Sequence, residues 1–217
     1  MIKVNRTENP TFEKYNDKVV QDSLKKDFHK KCYLCEEVTR HFEVEHFFPQ
    51  LSHKDLINKY SNLFYSCEKC NKLKPKKVNT IENEEILNCC DVDVEKYIKL
   101  ALNIDECKID IFQIKNDEKL ELKIENTIKL LERIYNGKNS KSNSCEDLQQ
   151  DIIDEIEIFR KIIDKYNNTR LKNSALNEIK EKLDLKSSYS TFKRWLIKDN
   201  ESLNKQFYQY IILNEEV

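Results

Sequence analysis

Apolar residues near the start of the chain recur at helical intervals. Phe12, Tyr15, Val19, Leu24 and Phe28 follow Pro10, whose fixed φ suits a first helical turn, and they predict an amphipathic helix over 10–30. After Cys32-Tyr-Leu-Cys35 the pattern shortens to a short hairpin, whose second arm is His41-Phe-Glu-Val-Glu-His46 with the alternation of a strand, ended by Pro49. Residues 50–61 read as a loop or short helix and Asn62-Leu-Phe-Tyr-Ser66 as another strand. Cys67-Glu-Lys-Cys70 leads into a brief helix that stops before Pro75. Beyond residue 80 the helical period dominates, apart from a strand predicted at Cys107–Ile111. One helix is expected over 120–135 with Gly137 as its cap, and a long one along Leu148, Ile152, Ile156, Phe159, Ile163 and Tyr166. Two or three shorter helices close the chain. The polar stretch 138–144 is the best internal linker candidate.

Composition narrows the chemistry. The chain of 217 residues contains one glycine, where average usage would give roughly fifteen. Glycine-rich phosphate loops and the G-x-S-x-G elbow are therefore excluded, and with them nucleotide-dependent dehydrogenases, P-loop ATPases acting alone and α/β-hydrolases. No stretch approaches the length of a membrane span, and the first residues lack the apolar run of a signal peptide, so a cytoplasmic protein with no membrane partner is expected. The net charge of -1 hides an asymmetry: 16 lysines and arginines face 11 acids up to residue 80, and 22 face 28 beyond it. Lys69, Lys72, Lys74, Lys76 and Lys77 cluster around the second cysteine pair, a block that reads as a solvated face or as a phosphate-binding one.

Eight cysteines in a reducing compartment point to metal rather than disulfides. Cys32, Cys35, Cys67 and Cys70 form two C-x-x-C pairs with 31 residues between them. Four thiolates close a tetrahedral zinc site without leaving a position for water, so this zinc would staple and not catalyse. Cys89 and Cys90 adjoin each other and read as buried small hydrophobes, and Cys107 and Cys145 as structural or incidental.

The frame draws together Glu45-His46 at a strand end, Asn62, and Asn71 directly after the last cysteine. Singly these are surface polarity, a turn residue and a cap residue. Together, the words Val44-Glu-His-Phe-Phe-Pro49, Asn62-Leu-Phe and Cys67-Glu-Lys-Cys-Asn-Lys72, with Lys74 beyond, resemble the HNH nuclease motif over residues 28–77. The resemblance implies an α+β fold, with a zinc-stapled ββα-metal unit over 1–80 and a mostly α-helical domain over 81–217. It implies a metal-dependent endonuclease in which His46 is the general base, Glu45 and Asn71 hold a catalytic Mg²⁺ or Mn²⁺, and Asn62 organises the loop that bears the base. Glu stands where Asp is common and Asn where some members have His, which favours a hard ion over zinc.

A looser match, in Leu24–Cys32, Cys89-Cys90 and Asn126–Asn136, resembles the HNH subunits of bacterial anti-phage systems of the Septu type. It implies an effector subunit that acts on nucleic acid, DNA ahead of RNA, beside an ABC- or SMC-like ATPase docked on the acidic helical half. Tyr189, Phe192, Trp195, Phe207 and Tyr208 are candidates for that surface or for the C-terminal core. The alternative is a non-catalytic zinc-dependent nucleic-acid-binding or scaffold subunit of an ATPase complex.

Overall fold

The computed structural model describes residues 1–74, 85–137, 144–168 and 170–212. Lys76, Lys77 and the linker candidate up to residue 143 lie outside them, as does the expected domain boundary at residue 80. The architecture is α+β, with two separate two-stranded antiparallel sheets among seven described helices.

Helix α1, Lys18–Asp27, is shorter than the predicted 10–30. The Asp17 carboxylate accepts the amides of Glu13 and Lys14, which closes a local turn ahead of the helix. Phe12 and Tyr15 instead reach the rings of Tyr60 and His46, with centroids at 6.4 and 4.7 Å. At the other end His29 and Lys30 take left-handed φ of 52° and 60° and stop the helix.

Strand β1, Glu43–His46, starts two residues later than expected and pairs with β2, Leu63–Ser66, not with the chain before it. The earlier arm is reduced to a single bridge between Lys31 and Val38. Register places Glu45 opposite Phe64 and His46 opposite Leu63. Asn62 precedes β2, at the end of a 3-10 turn over Tyr60–Asn62. Helix α2, Glu68–Leu73, follows at once and gives the order strand, strand, helix. α1 lies against β2, which is buried along its whole length.

The second sheet pairs β3, Ile98–Asn103, with β4, Lys108–Gln113. β4 covers the predicted strand except Cys107, which sits in the turn before it at φ 48°. β3 was not predicted, although Ile98, Leu100 and Leu102 alternate with more polar positions. Helix α3, Glu121–Asn136, ends at Gly137, which is left-handed at φ 66°. The left-handed φ is what favours glycine there, and an added Cβ would also stand 2.9 Å from Cys145 Sγ, so the Cys145 side chain would have to shift. α4 runs over Ser144–Asn168, and α5, Lys172–Leu183, α6, Ser190–Asp199, and α7, Glu201–Ile212, complete the helices.

A single core joins residues on both sides of position 80, from Leu24, Phe64 and Cys70 to Leu131, Ile152 and Phe192. A smaller cluster of Phe159, Ile163, Ile179, Leu183, Ile197, Phe207 and Ile211 holds α4–α7. Of the five aromatic candidates for a partner surface, Tyr189, Phe192 and Phe207 are buried in these cores, while Tyr208 is exposed.

Buried charges cross-link the elements. Glu36 Oε1 is 2.8 Å from the α-amino group of Met1 and accepts the Thr191 hydroxyl, and its Oε2 accepts the Thr191 amide. Arg194 Nε meets Glu95 Oε2 at 2.8 Å. Glu155 on α4 lies 2.8 Å from both Lys182 on α5 and Lys193 on α6. Burial opposes the Glu155 charge, but bonds from the two lysines prevail and hold its carboxyl below the usual range. Burial pushes Lys193 down to about 8 against the pull of Glu155.

A carboxyl depressed on folding adds stability above its ordinary pKa and loses it as pH falls through the folded value. Glu155→Gln should therefore cost about 3 kcal/mol near neutral pH, because it strands the buried Lys193. The deficit should shrink below the ordinary carboxyl value of 4.5, and denaturant melts across that range measure it.

Candidate active site

The cysteine frame forms as the spacing requires. The sulfurs of Cys32, Cys35, Cys67 and Cys70 all lie within 4.8 Å of one another, and all four residues are buried. Cys35 and Cys67 Sγ are 3.8 Å apart, about the edge of a sulfur tetrahedron around zinc with bonds near 2.3 Å. The first knuckle turns because Glu36 takes φ 64°, and it is fastened to β2 by the Tyr33 amide on the Tyr65 carbonyl at 3.0 Å. The second opens α2, with Cys67 as its N-cap. Bonds among the thiols push Cys35 and Cys70 well up. Burial opposes ionisation of Cys32 too, but bonds from the other three draw it well down. Four such thiols can ionise together only around a cation. The cluster is the one metal-binding group of His, Cys, Asp and Glu among the described residues, and it could hold structural zinc.

Because α2 begins at the cluster, its next turn is set against β1. Alternation puts Glu43 and Glu45 on one face of the strand. Asn71 donates to the Glu43 carboxylate through Nδ2, and Lys74 Nζ meets Glu45 Oε1 at 2.6 Å. A cleft of about 280 Å³ opens there, lined by Glu45, His46, Gln50, Asn71 and Lys74 among others. The structure thus gathers three of the four candidate catalytic residues into one cavity.

His46 stands at the strand end, 6% exposed. Its Nε2 lies 2.9 Å from the Ile57 carbonyl and its Nδ1 2.9 Å from Gln50 Nε2. A carbonyl can only accept, so Nε2 carries the proton and Nδ1 accepts from the Gln50 amide. Burial lowers the imidazole pKa, the Ile57 contact opposes this, and Lys74 adds to the depression. The ring is neutral near pH 7, with its lone pair on the side that Gln50 covers.

Asn62 sits outside the cleft, buried at 3% exposure. Its Oδ1 accepts the Phe48 amide at 2.7 Å, and its Nδ2 donates to the carbonyls of Phe48 and Leu56 at 3.1 and 3.3 Å. One side chain thereby holds the segment just after His46 against the loop that carries Ile57.

The lysine block divides. Lys69 and Lys72 are exposed on α2, the first 3.9 Å from Asp147 and the second paired with Glu68. Lys74 is 7% exposed and donates to Glu45 and to the carbonyls of His46 and Phe47 at 2.8 and 2.7 Å. This corrects its placement on the open basic face: α2 has ended, and the extended Lys74 backbone turns the side chain under β1. Sequence reading also passed over Glu43 and Gln50. The i, i+2 spacing of Glu43 and Glu45 was the available signal for the first, and no local pattern marks the second.

The oxygen donors that line the cleft are Glu45, whose carboxylate is paired with Lys74, and Asn71, whose Oδ1 has no protein donor among the described residues while its Nδ2 is held by Glu43 just outside the lining.

Fold and site together define an α+β protein in which a four-cysteine cluster supports a cleft of histidine, carboxylate, carboxamide and lysine. The chain is related to Septu protein PtuB of Bacillus mycoides (strain KBAB4), with 31% identity over 119 residues that cover 41% of this chain and 40% of that protein. It thus spans well under half the length of the curated relative it matches. No family model matches the chain, and no solved structure does.

Metal analysis of the purified chain should find about one zinc, and Cys67→Ser should lose it together with solubility and thermal stability. A folded, metal-free chain with four titratable thiols at these positions would refute a zinc staple.

Proposed function

We propose that the chain is a metal-dependent HNH endonuclease that hydrolyses phosphodiester bonds of nucleic acid, DNA ahead of RNA, as the effector of a Septu-type anti-phage system. The observation that carries this is the cleft where Glu45, His46 and Asn71 converge, with Asn62 holding the adjacent loop. The relationship to Septu protein PtuB supports the defence setting.

His46 is the base. When a water takes the place of the Gln50 amide, Nδ1 receives its proton as the oxygen attacks phosphorus and the bond from phosphorus to the leaving sugar oxygen breaks, while the Ile57 carbonyl keeps the Nε2 proton and the ring angle fixed. Glu45 and Asn71 would hold Mg²⁺ or Mn²⁺, which would supply charge neutralisation to the phosphoryl and leaving oxygens. Lys69 and Lys72 steer the backbone; Lys76 and Lys77 complete the basic block in sequence. Residues 1–80 carry the chemistry, and 81–217 dock an ABC- or SMC-like ATPase, which supplies the nucleotide chemistry that a chain with one glycine lacks. Reduced thiols and a nucleic-acid substrate fit action in the cytoplasm.

His46→Ala should lower Mg²⁺- or Mn²⁺-dependent cleavage by about 10²- to 10⁴-fold while zinc content and nucleic-acid binding persist. In the intact protein the acid limb of cleavage should fall below the ordinary histidine value of 6.5. Unchanged cleavage in the variant would move the base elsewhere. Binding without cleavage by the intact protein under every divalent ion would favour a binding or scaffold subunit.

Lys69→Glu with Lys72→Glu should weaken binding to all sequences alike and reduce the salt slope by roughly one unit per lysine. An unaltered slope in filter binding across salt concentrations would leave the two as solvated surface.

A further inference from the structure

Cys89 and Cys90 belong neither to the four-cysteine cluster nor to the cleft. They are the central residues of a turn that the Asp91 amide closes on the Asn88 carbonyl at 3.0 Å. Cys89 is fully buried, as expected of a small hydrophobe, but Cys90 is only half-buried. Arg6 sets their chemistry apart. Its Nε donates to Cys90 Sγ at 3.3 Å, while Nη1 and Nη2 are fixed on the carbonyls of Tyr60 and Leu63 at 3.1 and 2.7 Å. No carboxylate pairs with this guanidinium among the described residues, so the sulfur is where its charge is balanced.

The two sulfurs are unequal partners. The Cys89 thiol bonds to Cys90 and stays protonated, because that bond and burial both push it well up. The same bond and the Arg6 charge draw Cys90 down to about 7 against the cost of burial. At neutral pH about half of Cys90 is therefore thiolate, the nucleophilic form, with a protonated thiol beside it. Adjacent Cα atoms are about 3.8 Å apart, closer than the roughly 4.4–6.8 Å usual for a disulfide, so a bridge between these two would be strained and easily reduced.

We propose that Cys89 and Cys90 form a reversible oxidation site for peroxides. The Cys90 thiolate attacks the peroxide oxygen that carries hydrogen; the O–O bond breaks, Cys90 becomes a sulfenic acid, and the departing oxygen takes a proton from solvent. The Cys89 sulfur then attacks the Cys90 sulfur. An S–S bond forms as the S–O bond breaks, and the hydroxyl leaves with the Cys89 proton as water. The two cysteines give up two electrons, and the peroxide receives them. This chemistry is independent of that in the cleft.

The test is oxidation of the zinc-loaded full chain by one equivalent of hydrogen peroxide at neutral pH, with thiols mapped by alkylation and peptide mass spectrometry and zinc content followed alongside. The peptide that holds Cys89 and Cys90 should lose two hydrogens and resist alkylation before the exposed Cys107 reacts. Zinc should stay bound, and dithiothreitol should restore both thiols. Cys89→Ser should stop at a sulfenic acid that dimedone captures on Cys90, and Cys90→Ser should leave Cys89 reduced. Arg6→Gln should slow the oxidation about threefold, because the loss of thiolate outweighs the gain in its intrinsic nucleophilicity. If that variant loses helical circular dichroism, the order in which Cys90 and Cys107 react in the unaltered chain decides. Earlier oxidation of Cys107 or of the zinc-cluster cysteines overturns the proposal. So does dimedone capture at Cys90 that is as efficient with Cys89 present as without it, or a folded Arg6→Gln chain that is oxidised as fast.

Discussion

Everything at the candidate site hangs on four sulfur atoms being brought within 4.8 Å of one another. The strands that carry Glu45 and Leu63 are four residues each, too short to hold a register by themselves. The cluster supplies the missing constraint. It ties the knuckle at Cys32 and Cys35, which grips β2 through Tyr33, to the knuckle at Cys67 and Cys70, which starts α2. Asn71 is the next residue after the last sulfur ligand, and Lys74 is three further on, just past the end of α2. A shift of the cluster would therefore move both partners of the β1 carboxylates at once. The crowded thiols need a cation to ionise together, so the shape of the cleft and the loading of the cluster are one physical problem.

What the sequence revealed depended on how local the cause was. The cysteine spacing, the helix that ends at Gly137 and the long apolar stripe of α4 are set by residues a few positions apart, and they were legible. The start of α1 was misjudged because helical spacing continues through Phe12 and Tyr15, while the Asp17 carboxylate captures the two amides that a helix would have needed. β3 was missed because alanine and asparagine dilute its alternation, and its partner lies across a turn without glycine.

At the site, the residue types of Glu45, His46, Asn62 and Asn71 were readable, and the cleft brings together all but Asn62, which braces the loop behind. Their partners were not readable. Gln50 on His46 Nδ1 and Lys74 on Glu45 arise from how an extended loop and a helix end return to β1. Glu36 on Thr191 spans 155 residues, and no window of sequence contains such a pair.

The same non-local pairing limits what net charge can say about partners. The chain looks basic before residue 80 and acidic after it, yet several of the charges in that count are consumed inside the fold. Lys31 is buried against Glu36, and Lys74 against Glu45. Beyond residue 80, Glu95 is taken up by Arg194 and Glu155 by two lysines. Buried pairs contribute little field at the surface, because the two charges cancel over a few ångströms. The exposed cations of α2 are Lys69 and Lys72 and not Lys74, and the helices beyond residue 80 present fewer free acids than composition implies. Each of these pairs lies on one side of residue 80; what crosses it is the hold of Glu36 on Thr191, the bond from Lys31 Nζ to the Leu185 carbonyl, and the common core. Residues on the two sides of position 80 therefore share one buried core and are not packed as independent units.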